Sequence, residues 1–171
     1  MALYSVTFAF RQAFAVDADR AFRWCIDFRP DDLRRMHEAG DRTVRCLTDD
    51  TFLLADRVPL SSGRRVTKLK LVRINRRARS WTSTHLSGPA RHSQFVYRIS
   101  PKGRGGSQLE FVGLQVLRAR SPPAAAARTR LARQLRGEDA AAWKLLARAM
   151  EADLGKGRGR PRRPASPPSG R

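Results

Sequence analysis

Cysteine, histidine and long apolar runs are scarce in this sequence. Its 171 residues include two cysteines and three histidines, and their spacing does not resemble a metal-binding motif. Two cysteines, Cys25 and Cys46, in a chain that lacks an export signal are expected to be free thiols. No apolar run reaches the length of about eighteen residues that a membrane-spanning helix needs. We therefore predict no metal, no cofactor and no transmembrane segment.

Motifs for targeting, nucleophilic catalysis and phosphate binding are also missing. The N-terminus has no basic segment followed by an apolar stretch, so the sequence predicts a cytoplasmic protein. Ser87 lacks the glycine surround of a nucleophile elbow. The glycine-rich residues 103–106 lie between two predicted strands, whereas a phosphate-binding loop precedes a helix. The common hydrolase and nucleotide-binding motifs are thereby excluded.

Acidic residues are scarce in the middle of the chain. Residues 57–137 hold nineteen Lys or Arg and a single acidic residue, Glu110, whereas residues 1–56 hold eight Arg and ten Asp or Glu. The formal charge of the whole chain is +20, and such a field attracts polyanions such as RNA or acidic membranes. Arg and Ala are abundant throughout, as a GC-rich genome also produces. A functional and a purely compositional origin of the charge both stay open.

The apolar pattern predicts an α+β fold. Alternation over residues 4–14 indicates a half-buried strand. Asp17 is a suitable N-cap for a helix that runs to about Phe28, and Pro30 begins a second short helix that Gly40 ends. Short turns then separate strands that we predict to be antiparallel. These six strands are expected at residues 42–48, 51–60, 64–75, 80–86, 92–100 and 107–117.

One long helix is predicted at residues 129–154, where apolar residues such as Leu131, Leu135 and Leu146 recur at helical spacing. Gly137 is a candidate kink or weak point in it. Residues 155–171 contain no apolar side chains able to build a core, and we expect a disordered basic tail there. The sequence therefore predicts one domain over residues 1–154, followed by this tail.

The order of these elements, together with the stretch VDADRAFRWCIDFRPDDL at residues 16–33, resembles the START-like superfamily, also called SRPBCC. This superfamily includes polyketide cyclase/dehydrase-type proteins, lipid-transfer START domains and relatives of the birch-pollen allergen. Asp17, Phe22, Trp24 and Asp27 occupy positions typical of it. The resemblance covers residues 3–154. It implies a helix-grip fold, in which a curved seven-stranded antiparallel sheet surrounds the C-terminal helix and the two early helices close one end of a cavity.

The resemblance implies two kinds of function. The first is binding of a hydrophobic small molecule, of the lipid, polyketide or isoprenoid type, in the cavity between sheet and helix, with cyclase/dehydrase-type acid–base chemistry if the protein is an enzyme. The second is a nucleic-acid or ribosome-associated protein that uses its basic surface and tail to contact RNA or an acidic membrane. An interior filled completely by side chains is a further alternative.

Strand alternation selects a candidate acid. Asp56 shares a face with Phe52, Leu54 and Val58, and this more apolar face is expected to point inward. A buried carboxylate either pairs with a cation or has a raised pKa that suits proton transfer. The sequence predicts the inward position and leaves open an Arg ion pair or a general base.

The next strands supply a candidate imidazole and hydroxyl. His85 shares a face with Trp81 and Ser83, and it is either a general base or a hydrogen-bonded structural residue. Tyr97 could donate its hydroxyl to an oxyanion, or simply pack. The catalytic candidates are thus His85, Asp56 and Tyr97. The expected cavity wall consists of Phe52, Leu54, Trp81, Tyr97, Phe95 and Phe111 from the sheet and Trp143 and Leu146 from the helix.

Overall fold

Seven antiparallel strands, two short helices and one long helix make up residues 1–60 and 62–155, the part of the chain that the computed structural model describes. The strands are β1 (Ala2–Phe14), β2 (Asp41–Thr48), β3 (Thr51–Pro59), β4 (Arg65–Asn75), β5 (Ser80–His85), β6 (Gln94–Lys102) and β7 (Gly106–Ala119). The helices are α1 (Ala18–Ile26), α2 (Asp32–Arg35) and α3 (Ala125–Gly155). The sheet order is β1-β7-β6-β5-β4-β3-β2. The predicted helix-grip architecture is confirmed.

The first and last strands are neighbours because β1 pairs along its whole length with β7, from Ala2 opposite Ala119 to Phe14 opposite Ser107. Alternation buries the aromatic side of β1 against the core. Gly113 of β7 faces Phe8, and a Cβ atom at this glycine would lie 2.8 Å from the Phe8 ring. The missing side chain therefore lets the β1 aromatic rings pack closely against β7.

The two early helices are attached to the end of α3. Asp17 caps α1 by accepting a hydrogen bond from the backbone N–H of Arg20 at 2.9 Å. Trp24 of α1 donates its indole N–H to Asp153 at 3.0 Å, and Arg35 of α2 forms an ion pair with the same carboxylate at 2.7 Å. α1 and α2 are thereby fixed as a wall at one end of the sheet–helix space.

The long helix begins earlier than residue 129, the start that the sequence pattern predicts. α3 begins at Ala125, two residues after Pro123, because a run of alanines has a strong helix propensity even without an apolar stripe. The helix continues through Gly137, and near its C-terminal end Leu146, Ala147 and Met150 are buried. The described helix ends at Gly155, the first residue of the predicted basic tail. The rest of that tail, residues 156–171, lies outside the described residues. None of the helices in residues 1–60 and 62–155 is long and apolar enough to cross a membrane.

Candidate ligand-binding site

A cavity of about 150 Å³ lies between the early helices, the inner face of the sheet and α3. The chain has three tryptophans, and all of them, Trp24, Trp81 and Trp143, contribute to its wall. The two early helical segments and the turn between them supply a large part of this wall, which is the role that the resemblance implies for them. The remaining wall residues are Cys25, Phe28, Asp32, Met36, Arg42, Leu54, Lys70, Val72, Ser83, Tyr97 and Leu146.

Stacked aromatic rings form the sheet side of the cavity. Trp81 of β5 lies directly opposite Tyr97 of β6, and their rings are 4.8 Å apart and nearly parallel, at 5°. Trp143 of α3 approaches both rings, with its centroid 6.3 Å from that of Trp81 and 5.7 Å from that of Tyr97. Flat apolar surfaces on two sides suit a planar or apolar ligand.

A buried ion-pair network on β2, β3 and β4 of the same sheet forms the polar part of the wall. Asp56 of β3 is 1% exposed and accepts two hydrogen bonds from the guanidinium of Arg42, at 2.6 and 2.8 Å. Lys70 of β4 donates to the second carboxylate oxygen at 2.6 Å. Arg42 also approaches Asp32 at 3.4 Å. Arg42 faces Asp56 across β2 and β3, so the strand register itself brings this pair together.

The network decides between the two alternatives for Asp56. Burial acts to raise the pKa of its carboxyl, but the hydrogen bonds and charges of Arg42 and Lys70 outweigh burial and lower that pKa to about 2. The raised pKa expected of a general base is therefore wrong, because two cations stabilise the carboxylate. Asp56 is an ion-paired structural residue behind the cavity wall.

His85 is buried on the same face of β5 as Trp81 and Ser83, with 9% of its surface exposed. Its Nδ1 atom is buried and has no hydrogen-bond partner among the described residues. Burial lowers the pKa of His85 to about 3, and the charges of Lys70 and Lys68 act in the same direction. His85 is therefore neutral at neutral pH and a weak proton acceptor, which argues against a base role.

Two further titratable groups flank the aromatic side. Burial raises the pKa of the Tyr97 hydroxyl, and the charge of Asp139 adds to this effect, so the hydroxyl keeps its proton and can donate a hydrogen bond. Asp139 of α3 is half-buried, one helical turn before Trp143. Burial, with Glu138 and Glu38, raises its pKa to about 6. Burial thus brings the pKa of Asp139 towards neutrality, and our reading of the sequence missed this residue.

The structure divides the eight predicted wall residues into two groups. Leu54, Trp81, Tyr97, Trp143 and Leu146 lie in the cavity wall. The others are buried in the hydrophobic core behind it, because neighbouring rings cover them. Phe52 packs on Phe28, Phe95 on His85, and Phe111 on Phe10, with centroids 5.5, 4.9 and 4.6 Å apart.

Several wall residues were not anticipated. Arg42 and Lys70 belong to strands with apolar residues on both faces, so alternation alone did not assign them inward. Asp32 is the first residue of α2, and Met36 caps the C-terminal end of this helix. A signal for Arg42 was available, since an inward Asp56 requires an inward cation. In residues 1–60 and 62–155, no group of three or more potential metal ligands occurs.

Comparison with known proteins gives the fold a wider context. No protein-family model and no curated protein matches the chain. Solved structures do match. The Zhui aromatase/cyclase from Streptomyces sp. R1128 aligns with a TM-score of 0.72 at 14% identity, over 88% of this chain and 96% of that one. A START superfamily protein from Mycobacterium smegmatis aligns with a TM-score of 0.62 at 12% identity, over 88% and 98% of the two chains.

A third structure shows the same fold as half of a longer chain. The di-domain ARO/CYC StfQ from the steffimycin biosynthetic pathway aligns with a TM-score of 0.70 at 13% identity, over 89% of this chain and 52% of that one. At these identities the alignments establish architecture. The chain therefore has the helix-grip fold of START-like and polyketide cyclase-like proteins.

Proposed function

We propose that this protein binds a hydrophobic small molecule, of the lipid, polyketide or isoprenoid type, in the cavity between the sheet and α3. The observation that carries the proposal is the aromatic wall, in which the three tryptophans and Tyr97 surround open space. An interior filled completely by side chains would have no such space. The similarity to an aromatase/cyclase and to a START superfamily protein is in keeping with this use of the fold.

Binding, rather than acid–base catalysis by Asp56 and His85, is the activity that the electrostatics favour. A carboxyl with a pKa of about 2 and an imidazole with a pKa of about 3 both lack proton affinity near neutral pH. Tyr97 fits the donor role, since its protonated hydroxyl belongs to a wall residue. A cyclase/dehydrase-type reaction would therefore use Tyr97 to polarise a ligand carbonyl and would need a proton acceptor other than Asp56 or His85.

Filling the cavity tests the binding proposal. Ser83 is buried in the wall, so we expect Ser83→Trp to place an indole in the open space and to abolish binding of toluene and geraniol, as measured by calorimetry. Thr82→Trp is the matched control, because Thr82 lies on the outer face of the same strand. Overpacking costs about 1–3 kcal/mol, so both variants should remain folded by circular dichroism. Equal binding by the parent and by Ser83→Trp would refute the proposal.

A second candidate activity, contact with polyanions, has an observation of its own. Arg128, Arg130, Arg133 and Arg136 of α3 are exposed, and within the described part of the chain none of them forms an ion pair. Exposed cations without acidic neighbours are available to phosphate groups. The partner that we propose is single-stranded RNA, bound without sequence preference.

The double variant Arg130→Gln/Arg133→Gln tests this contact. We expect the slope of log affinity for an RNA oligonucleotide against log salt to become shallower by about 0.7 for each lost phosphate contact. The control Arg11→Gln/Arg65→Gln removes the same charge from residues in exposed ion pairs. An identical change in both variants would mean that only net charge matters, and it would exclude a specific role for α3.

A further inference from the structure

Hydrogen-bond donors outnumber acceptors on the polar side of the cavity. The ammonium of Lys70 has three N–H groups and donates one of them to Asp56. Ser83 lies in the wall, and its hydroxyl has no partner among the residues that the structure describes. Both oxygens of Asp56 are already occupied by Arg42 and Lys70. An additional acceptor in the cavity would therefore find unused donors on two adjacent strands, β4 and β5.

The cationic groups of this part of the inner face offer donors that suit an acceptor carrying negative charge. Arg42 and Lys70 belong to the cavity wall and Lys68 lies near them, while Asp56, Asp32 and Glu38 balance their charge. Lys70 and Lys68 act together against protonation of the neighbouring His85, and Asp56 only partly offsets them. Lys70 belongs to the cavity wall, and 19% of its side chain is exposed.

The volume limits the size of the group that is enclosed. A cavity of about 150 Å³ matches the size at which an apolar protein cavity accommodates one benzene ring. Larger pockets, of about 300 Å³ and more, are usual for drug-sized ligands. The cavity has room for one planar ring beside the cluster of Trp81, Tyr97 and Trp143, and any further part of a ligand would extend towards the opening.

We propose that the enclosed part of the ligand is a single aromatic ring bearing a carboxylate, which accepts hydrogen bonds from Lys70 Nζ and Ser83 Oγ while the ring packs on Trp81 and Trp143. This inference rests on the proposed function and specifies its ligand class as aromatic carboxylic acids. Lys70 is then a specificity-determining residue, held in position by its hydrogen bond to Asp56. The unused donors match the carboxylate of such a ligand, and the aromatic walls match its ring.

Toluene and benzoate form a matched pair of probes, because they share the ring and differ in a methyl group and a carboxylate. We expect Lys70→Met to lower the ratio of benzoate affinity to toluene affinity by about 10- to 100-fold, the effect of losing one hydrogen bond to a charged group. Lys102→Met, at an exposed position of β6, is the control and should change neither affinity. Calorimetry near neutral pH, where benzoate is ionised, measures all of these affinities.

Ser83→Ala gives a second test that leaves the ion-pair network intact. This variant should weaken benzoate binding more than toluene binding, and by a smaller factor than Lys70→Met does. If toluene binds while Lys70→Met and Ser83→Ala leave the benzoate affinity unchanged, the carboxylate subsite is wrong and the binding proposal stands. If neither probe binds to the parent protein, both the proposed function and this inference fail.

Discussion

Replacing Asp56 with alanine is expected to lower the free energy of unfolding by about 3–5 kcal/mol, the cost of leaving a buried charge without its partner. Asp56 is 1% exposed and is the shared acceptor of Arg42 and Lys70. Without it, the half-buried Lys70 and the almost fully buried Arg42 would face each other, and Asp32, 3.4 Å from Arg42, would remain as the ion-pair partner of the guanidinium. Urea unfolding of the parent and the variant measures the difference.

Two controls separate this network from ion pairs in general. Asp41 pairs with Arg65 on the surface, where its side chain is 77% exposed, and Asp41→Ala should cost less than about 1 kcal/mol. Arg42→Met combined with Asp56→Leu removes both charges of the buried pair and should recover part of the stability that Asp56→Ala loses. If Asp56→Ala costs no more than Asp41→Ala, the network contributes nothing to stability and our account of it is wrong.

His85 is expected to reduce the stability of the protein as the pH falls below 6.5. The folded state holds the pKa of His85 at about 3, compared with 6.5 for the free side chain. Below pH 6.5 the unfolded chain takes up a proton that the folded protein excludes. The stabilisation is thus complete above this pH and declines by about 1.4 kcal/mol for each unit of pH until the folded pKa is reached.

Between pH 6.5 and 4.5 the difference between the parent and His85→Leu isolates this contribution, because Asp139, whose folded pKa of about 6 exceeds its ordinary value of 3.8, gains stabilisation as pH falls in both proteins. We expect the parent to be destabilised across this window by about 2–3 kcal/mol relative to His85→Leu. His92→Asn, at an exposed position, should retain the slope of the parent. If the free energy of unfolding changes equally with pH in the parent and in His85→Leu, His85 is not held neutral.

Alternation along the strands predicted an antiparallel α+β fold and the inward faces of most strands, whereas the helix-grip architecture was implied by the family resemblance. β3 and β5 each have one face that is clearly more apolar, so Asp56 and His85 could be assigned to the interior. β4 has no such contrast, because Leu69 and Leu71 lie on one face while Val72 and Ile74 share the other face with Lys70. The inward position of Lys70 depends on the pairing of β4 with β3 and β5, which a single sequence does not specify.

The details of the site depend on tertiary contacts that the sequence pattern does not contain. Alternation places Phe95 and Phe111 inward, but only packing decides that neighbouring rings cover them. Asp139 lies among alanines on α3, and its raised pKa results from its burial and from the charges of Glu138 and Glu38. The ion pairing of Asp56 could be anticipated as one of two alternatives, and the structure was needed to choose between them.

The most direct test of the binding proposal uses the three tryptophans, because every indole of the protein belongs to the cavity wall. Two-dimensional NMR resolves one indole N–H signal from each of Trp24, Trp81 and Trp143 while toluene is titrated into the protein. Our account predicts that all three signals shift and saturate together, and that they stay fixed in Ser83→Trp. Unchanged indole signals, with shifts confined to the exposed apolar residues Val96, Val112 and Leu114 of the outer sheet face, would contradict it.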